Sequence, residues 1–203
     1  MNLLVSKAAP FFSSNAFIPA TNSFKNISLT SFQNKYVYML FYPLNFTFVC
    51  PTEIHALSNL YDKFLEKNCE LVTVSVDSVY SHQAFWNLDT SKGGLGKRTK
   101  VPMLSDLSGT IAQSFGVFDY DKKISVRGGF LIDSNGVIRH AGINDLGVGR
   151  NFEEVLRMVE GFQYCDTNGE VCPAGWKQAG DPTMKGGHEF QETQNYWNKV
   201  LGK

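Results

Sequence analysis

Cys50 is the residue best placed for chemistry, because of what surrounds it. It lies in Phe41-Tyr-Pro-Leu-Asn-Phe-Thr-Phe-Val-Cys-Pro-Thr-Glu53, with an apolar strand expected over 36–42 and a helix expected to begin near Pro51. A sulfur at the first turn of a helix meets backbone N–H groups that lack intrahelical partners, together with the positive end of the helix dipole. Both favour thiolate, the form that attacks an electrophile. Pro51 suits the first helical position, where its missing N–H would have had no partner. The competing reading is a buried core thiol, the common fate of free cysteine; the Thr-x-x-Cys-Pro setting argues against it. Ionisation alone achieves little. An ordinary thiol of pKa ~8.5 is already about 3% ionised at pH 7, so full ionisation gains roughly thirtyfold at most. A fast thiol enzyme must also supply donors for the charge that builds up on the leaving group.

The remaining cysteines (Cys69, Cys165, Cys172) form no C-x-x-C pair, with one another or with Cys50, and His55, His82, His140 and His188 show no metal-ligand spacing. No metal or other cofactor is expected. A disulfide framework does not suit a domain this large and apolar, which leaves redox work by individual cysteines. Cys69 opens an apolar strand and reads as buried and inert. Trp86 reads as core or interface packing, and the histidines as structural or solvent-facing.

The elements that must position these groups follow from periodicity. Strand-like runs over 36–42, 70–76, 127–132 and 137–143 alternate with helix-like stretches near 52–67, 81–88, 109–115 and 152–162. That alternation predicts an α/β fold, a central sheet with helices on both faces. In the helix after Cys50, Ile54, Leu57, Leu60, Tyr61, Phe64 and Leu65 recur at three-to-four spacing and define one buried face. Asn135-Gly136 signals a type I′ hairpin. From about Cys165 the chain turns rich in Gly, Pro and polar residues, which reads as loops leading to a terminal helix over 189–201.

The sequence resembles the peroxiredoxins, thiol peroxidases of thioredoxin-like fold, and in particular their typical two-cysteine group. Pro43, Thr47 and Cys50 reproduce the Pro-x-x-x-Thr-x-x-Cys signature; Val171-Cys-Pro-Ala-Gly-Trp176 resembles the segment carrying the resolving cysteine; Ser125-Val-Arg-Gly-Gly-Phe-Leu-Ile-Asp133 resembles the strand carrying the active-site arginine. The likeness runs from about Leu3 to Trp197, and Met1–Pro10 resembles the family's first strand. It implies a central mixed sheet flanked by helices over 3–162 and a C-terminal extension over 163–203. It implies Cys50 as the sulfur that attacks peroxide, and Arg127 and Thr47 as donors to the peroxide oxygens. Pro43 would shield the sulfur and Glu53 would orient Arg127. Cys172 would form a disulfide with Cys50 of a second copy, hence a homodimer, up to five dimers in a ring, reduced by a thioredoxin-like partner. Without the resemblance, Thr47 reads equally as a cap or a turn-backbone bond. Cys165, seven residues before Cys172, can compete as resolver or form an accidental disulfide. Gly93-Gly94-Leu95-Gly96 and Tyr196-Trp197 resemble the brace that slows unwinding in peroxide-sensitive members, which predicts overoxidation; the plain alternative is a flexible loop and an ordinary terminal helix. Asn45 departs from the family's usual Asp.

Composition narrows partners. Nineteen Lys plus Arg balance nineteen Asp plus Glu, so nothing points to nucleic acid or a membrane surface, and no apolar run is long enough to cross a bilayer. Met1–Pro10 lacks the basic and apolar regions of a signal peptide. Asn45-Phe-Thr47 is a formal glycosylation acceptor, and a glycan there would block Cys50, so a cytoplasmic location is expected. Two other functions stay open. A holdase chaperone or a peroxide sensor would carry the same residues, whereas a disulfide reductase would need the missing C-x-x-C.

Overall fold

The computed structural model describes residues 3–185 and 190–202, so His188 and Glu189 lie outside it. The chain divides into two compact units, Met1–Phe152 and Glu153–Lys203. In the first, β1 (Ser13–Ile18) and β2 (Ser23–Ser28) precede β3 (Tyr36–Phe41). Then come α1 (Val49–Asn59), α2 (Tyr61–Glu66), β4 (Cys69–Ser75), α3 (Val79–Asn87), β5 (Met103–Ser105) and α4 (Thr110–Ser114). A short hairpin of β6 (Phe118–Asp119) and β7 (Ile124–Ser125) leads to β8 (Arg127–Ile132) and β9 (Ile138–Asn144).

The main sheet has the order β2-β1-β5-β4-β3-β8-β9. The β3–β4 and β4–β5 pairs are parallel and the rest antiparallel, the mixed sheet of a thioredoxin-like fold. All six residues of β3 are buried. Side chains of a strand alternate between faces, so the middle of the sheet is covered on both, as the alternation of strands and helices predicted. Val37, Met39 and Phe41 share one face with Val72, Val74, Phe130 and Ile132. There Phe41, Phe115 and Phe130 form a ring triangle with centroids 5.3, 5.7 and 4.9 Å apart.

The structure corrects several expectations. The helix after Cys50 is two helices, broken at Leu60 without Pro or Gly. Ser58 hydroxyl donates back to the Ile54 carbonyl at 2.6 Å, a bond that bends helices. Ile54, Leu57 and Phe64 are buried as expected, but Leu65 is 39% exposed. The first strand is Ser13–Ile18; before it, among the described residues, Ala8 makes an isolated bridge to Val137. β1, β2 and β5 escaped the sequence reading because the first two are serine- and asparagine-rich and the third has three residues. At the β8–β9 turn only Gly136 has positive φ. A type I′ turn needs two such residues, so this is a different turn, closed by the Gly136 N–H on the Asp133 carbonyl at 2.9 Å.

In the second unit, α5 (Phe152–Asn168) leads to a small antiparallel pair, β10 (Glu170–Val171) with β11 (Met184–Lys185), and then α6 (Phe190–Leu201). α5 runs six residues past its expected end. Its last turn, Tyr-Cys-Asp-Thr-Asn, holds mostly weak helix formers, so the end was placed early. The true stop is Gly169, whose φ is +66° and whose N–H donates to the Cys165 carbonyl at 3.0 Å. That is a left-handed C-terminal cap. Cys165 therefore sits on a helix and not in a loop. Trp176 is buried in this unit, its ring 5.8 Å from Tyr164 and its carbonyl accepting from Arg157 at 2.8 Å.

Beside Arg127, Gly128 and Gly129 are there for space. A Cβ on Gly129 would lie 2.1 Å from the Tyr38 hydroxyl, and one on Gly128 would lie 2.7 Å from Val117. Gly129→Ala should destabilise the protein by about 2 kcal/mol, and adding Tyr38→Phe should restore part of it. Urea melts of the single and double variants measure both; an unchanged Gly129→Ala midpoint would contradict the packing.

Candidate active site

β3 ends at Phe41, and the chain crosses the sheet edge through Pro43 to Phe48 before entering α1. This is the carboxyl end of parallel strands, where an α/β sheet leaves its crevice. α1 begins at Val49, two residues earlier than expected, because Phe48 already has helical torsions. Cys50 is thus the second helical residue and Pro51 the third. Pro51 still costs nothing there, since the first-turn N–H groups are all without intrahelical partners. Phe46, in the connecting loop, has φ +56°.

Cys50 has no exposed area, yet its neighbour is a charge. Arg127, the first residue of β8, donates through Nη1 to Cys50 Sγ at 3.5 Å and to Glu53 Oε2 at 2.7 Å. Its Nε donates to the Leu146 carbonyl at 2.9 Å, which fixes the plane of the guanidinium. Glu53 stands three residues after Cys50, almost one turn along α1, and so shares its face. The structure therefore brings Cys50, Glu53 and Arg127 together.

Arg150 was not read from the sequence. It grips the same carboxylate, from Nε to Oε1 at 2.8 Å and from Nη2 to Oε2 at 2.9 Å, and donates its backbone N–H to Oε1 at 3.0 Å. Nη1 donates to the Gly128 carbonyl at 2.6 Å. All three side chains are nearly fully buried. Two guanidinium groups against one carboxylate leave one net positive charge in the interior, beside the sulfur. No motif around Arg150 marks it. The one usable signal was the demand of a buried carboxylate for several donors.

Pro43 is buried at the end of β3. Thr47 donates its hydroxyl to the Leu44 carbonyl at 3.0 Å, the turn-backbone bond weighed above, and its lone pairs can still accept. Asn45 is buried too. Its side-chain oxygen accepts from the Tyr42 hydroxyl at 2.7 Å, its amide nitrogen donates to Ser81 Oγ at 2.9 Å and contacts His82 Nδ1 at 3.2 Å. In this position a glycan has no room. Cys69 is buried, and burial followed by Glu70 raises its pKa far above the ordinary thiol value.

The glycine loop is not slack. Leu95 is buried, and the N–H groups of Gly94, Leu95 and Gly96 donate to the carbonyls of Asp89, Phe85 and Leu88 at 3.1, 2.9 and 2.8 Å. Gly94 cannot be larger, because a Cβ would lie 2.2 Å from the Leu88 oxygen. On α6, Tyr196 and Trp197 stack edge to face at 5.3 Å, and Trp197 is half exposed. Cys172 follows β10, with its Sγ 3.6 Å from Cys165 Sγ. Burial and the contact with Cys165 push the Cys172 pKa up to about 11.

Residues 5–141 match the AhpC/TSA family, and residues 161–199 match the C-terminal domain of 1-Cys peroxiredoxin. The chain belongs to the peroxiredoxin family, in its typical two-cysteine group, and is a thiol peroxidase with an antioxidant role. It is 46% identical over 195 residues to peroxiredoxin-1 of Gallus gallus, covering 96% of each chain. It is 48% identical over 181 residues to the mitochondrial thioredoxin-dependent peroxide reductase of Homo sapiens, covering 89% of this chain and 69% of that one. Among solved structures it is similar to the reduced 2-Cys peroxiredoxin of Plasmodium vivax, with a TM-score of 0.88 and 42% identity over 92% of this chain and 95% of that one. Among the described residues no helix is long and apolar enough to cross a membrane.

His82 is held neutral beneath this loop. Burial lowers its pKa from 6.5 to about 4, against the opposing pull of the Leu104 carbonyl and Asp77. The folded value lies below the unfolded one, so falling pH protonates the unfolded chain first. The stability His82 contributes is complete above about pH 6.5 and drains towards pH 4, roughly 3 kcal/mol in all. Between pH 7 and 4.5, His82→Gln should lose about 2 kcal/mol less than wild type in denaturant melts. Equal losses would show that other groups set the acid limb.

Proposed function

We propose that Cys50 is the peroxidatic sulfur and that it works as a thiolate against the Arg127–Glu53–Arg150 cluster. The observation that carries this reading is the 3.5 Å contact from Arg127 Nη1 to Cys50 Sγ. The same guanidinium that reaches the sulfur can donate to a peroxide oxygen bound against it, where charge builds up as the O–O bond breaks. Hydrogen peroxide and small organic hydroperoxides are the substrates. The sulfur attacks the terminal peroxide oxygen and keeps it as sulfenic acid, the O–O bond breaks, and the other oxygen takes a proton and departs as water from hydrogen peroxide or as the alcohol from an organic hydroperoxide. Arg127 would serve as donor to the oxygens; the Thr47 hydroxyl, expected as a second donor, gives its proton to the Leu44 carbonyl and would instead accept the peroxide O–H, with Pro43 as a shield against water. Glu53, gripped from both sides, would hold Arg127 in plane.

The sulfenic acid left on Cys50 would be trapped by Cys172 of a second copy as an intersubunit disulfide, which makes residues 163–203 the resolving extension of the 3–162 peroxidase domain. A homodimer follows from that exchange, and five dimers in a ring from the family. A thioredoxin-like dithiol would then reduce the disulfide. A thioredoxin-dependent relative and the reduced 2-Cys structure support this cycle. We propose a cytoplasmic location, since Asn45, the formal glycosylation acceptor, is buried and leaves no room for a glycan.

Non-reducing electrophoresis within seconds of adding one equivalent of peroxide should show a covalent dimer in wild type and none in Cys50→Ser or Cys172→Ser. A dimer in either variant would overturn the pairing. Cys50→Ser should also lose essentially all peroxide consumption. If it keeps suppressing aggregation of a heated client protein, a holdase function exists beside the enzyme.

The pinned Gly93–Gly96 loop supports the brace over the flexible-loop alternative, with Tyr196 and Trp197 as its partner pair. Slowed unwinding lets a second peroxide convert sulfenic to sulfinic acid. Turnover with excess reductant should therefore lose activity progressively as peroxide rises, with a 32 Da gain on the Cys50 peptide. Full activity over many turnovers at high peroxide would contradict it.

A further inference from the structure

We propose that Cys165 is a second resolving thiol, which takes over the Cys172 half of the Cys50–Cys172 disulfide and sets Cys50 free. The inference rests on the pairing proposed above and adds a step to it. Its basis is geometry within the C-terminal unit. Cys165 Sγ and Cys172 Sγ are 3.6 Å apart, close to the separation from which reacting atoms proceed without rearrangement. Neither sulfur is loosely placed. Cys165 is in the last turn of α5, where its carbonyl holds the Gly169 N–H. Cys172 follows directly on β10, and its sulfur also lies 3.8 Å from the Gly161 carbonyl. Both residues line one open groove of about 390 Å³ with Arg157, Gly161 and Pro173. Neither cysteine is fully buried, so a disulfide arriving at Cys172 arrives within reach of Cys165.

The exchange balances without a new oxidant. The Cys165 thiol gives its proton to water, and its sulfur attacks Cys172 Sγ. The Cys165–Cys172 bond forms, the Cys172–Cys50 bond breaks, and Cys50 leaves as thiolate. One disulfide replaces another, so the oxidising equivalents delivered by peroxide are conserved. Two features favour the forward direction. The new bond closes a short local loop between neighbours already in contact. The departing Cys50 sulfur has a guanidinium waiting for it in the folded site, 3.5 Å away. Cys172 carries a raised pKa, about 11, which weakens it as a nucleophile but not as the sulfur under attack. The outcome is a peroxidatic site restored before any external dithiol arrives, with the disulfide stored on one chain.

Counting peroxide tests this in the full-length protein without reductant. Wild type should consume about two equivalents per chain, the second as the exchange frees Cys50, and Cys165→Ser about one. Minutes after the first equivalent, once the early covalent dimer has exchanged, alkylation and peptide mass mapping of wild type should find Cys165 joined to Cys172 within a chain and Cys50 alkylated. Cys165→Ser should keep the Cys50–Cys172 linkage. After the second equivalent, dimedone should label Cys50 in wild type only. Wild type that holds only the Cys50–Cys172 linkage and stops at one equivalent would overturn the relay and leave the proposed function standing. Absence of the Cys50–Cys172 linkage from Cys165→Ser would overturn both. A Cys165–Cys172 bond forming equally fast in Cys50→Ser would show direct oxidation, and so overturn the relay alone. The mapping of wild type needs no variant to fold.

Discussion

A buried carboxylate shared by two arginines is the constraint on which the rest of the molecule depends. Glu53 without partners would be a large penalty in the interior; with Arg127 and Arg150 it becomes the joint between α1, β8 and the loop before α5. The sheet exists, from this point of view, to bring those three elements to one edge. β3 delivers the cysteine loop, and its antiparallel neighbour β8 delivers Arg127 across the register. The double glycine after Arg127 lets Tyr38 and Val117 close against the strand. Fold and site are therefore the same set of contacts, and the excess positive charge of the cluster is what the sulfur faces.

Much of this was legible in the residues. The apolar run over 36–42 read as a strand, and the Thr-x-x-Cys-Pro setting marked the sulfur. Arg127 and Glu53 came from likeness of motif, and the structure brings both to Cys50. What stayed hidden had physical reasons. Arg150 acts through a carboxylate ninety-seven positions away, and no local pattern encodes such a pairing. The hairpin of β1 and β2 is polar because it lies at the sheet's edge, where burial does not impose apolar alternation. The late end of α5 was masked by weak helix formers that tertiary packing overrides.

That last miss changed the chemistry. With α5 ending near Phe162, Cys165 would be one loop residue among many. With the helix carried to Asn168 it becomes a fixed neighbour of Cys172. The His82 network shows the same lesson for Asn45. The sequence presents it as the loss of a carboxylate near the sulfur, whereas the structure uses its amide to bridge Tyr42, Ser81 and a neutral histidine. An aspartate there would favour a charged partner at the same imidazole.

The Phe46 backbone sits in a left-handed well that suits glycine. An ordinary side chain held there costs about 1 kcal/mol, offset in the intact loop by the packing of its ring against Phe85, 5.0 Å away. Any rearrangement that lifts this ring away releases the torsion at the same moment. The loop before Cys50 is thus a cocked spring with an aromatic catch, and the catch lies four residues ahead of the sulfur.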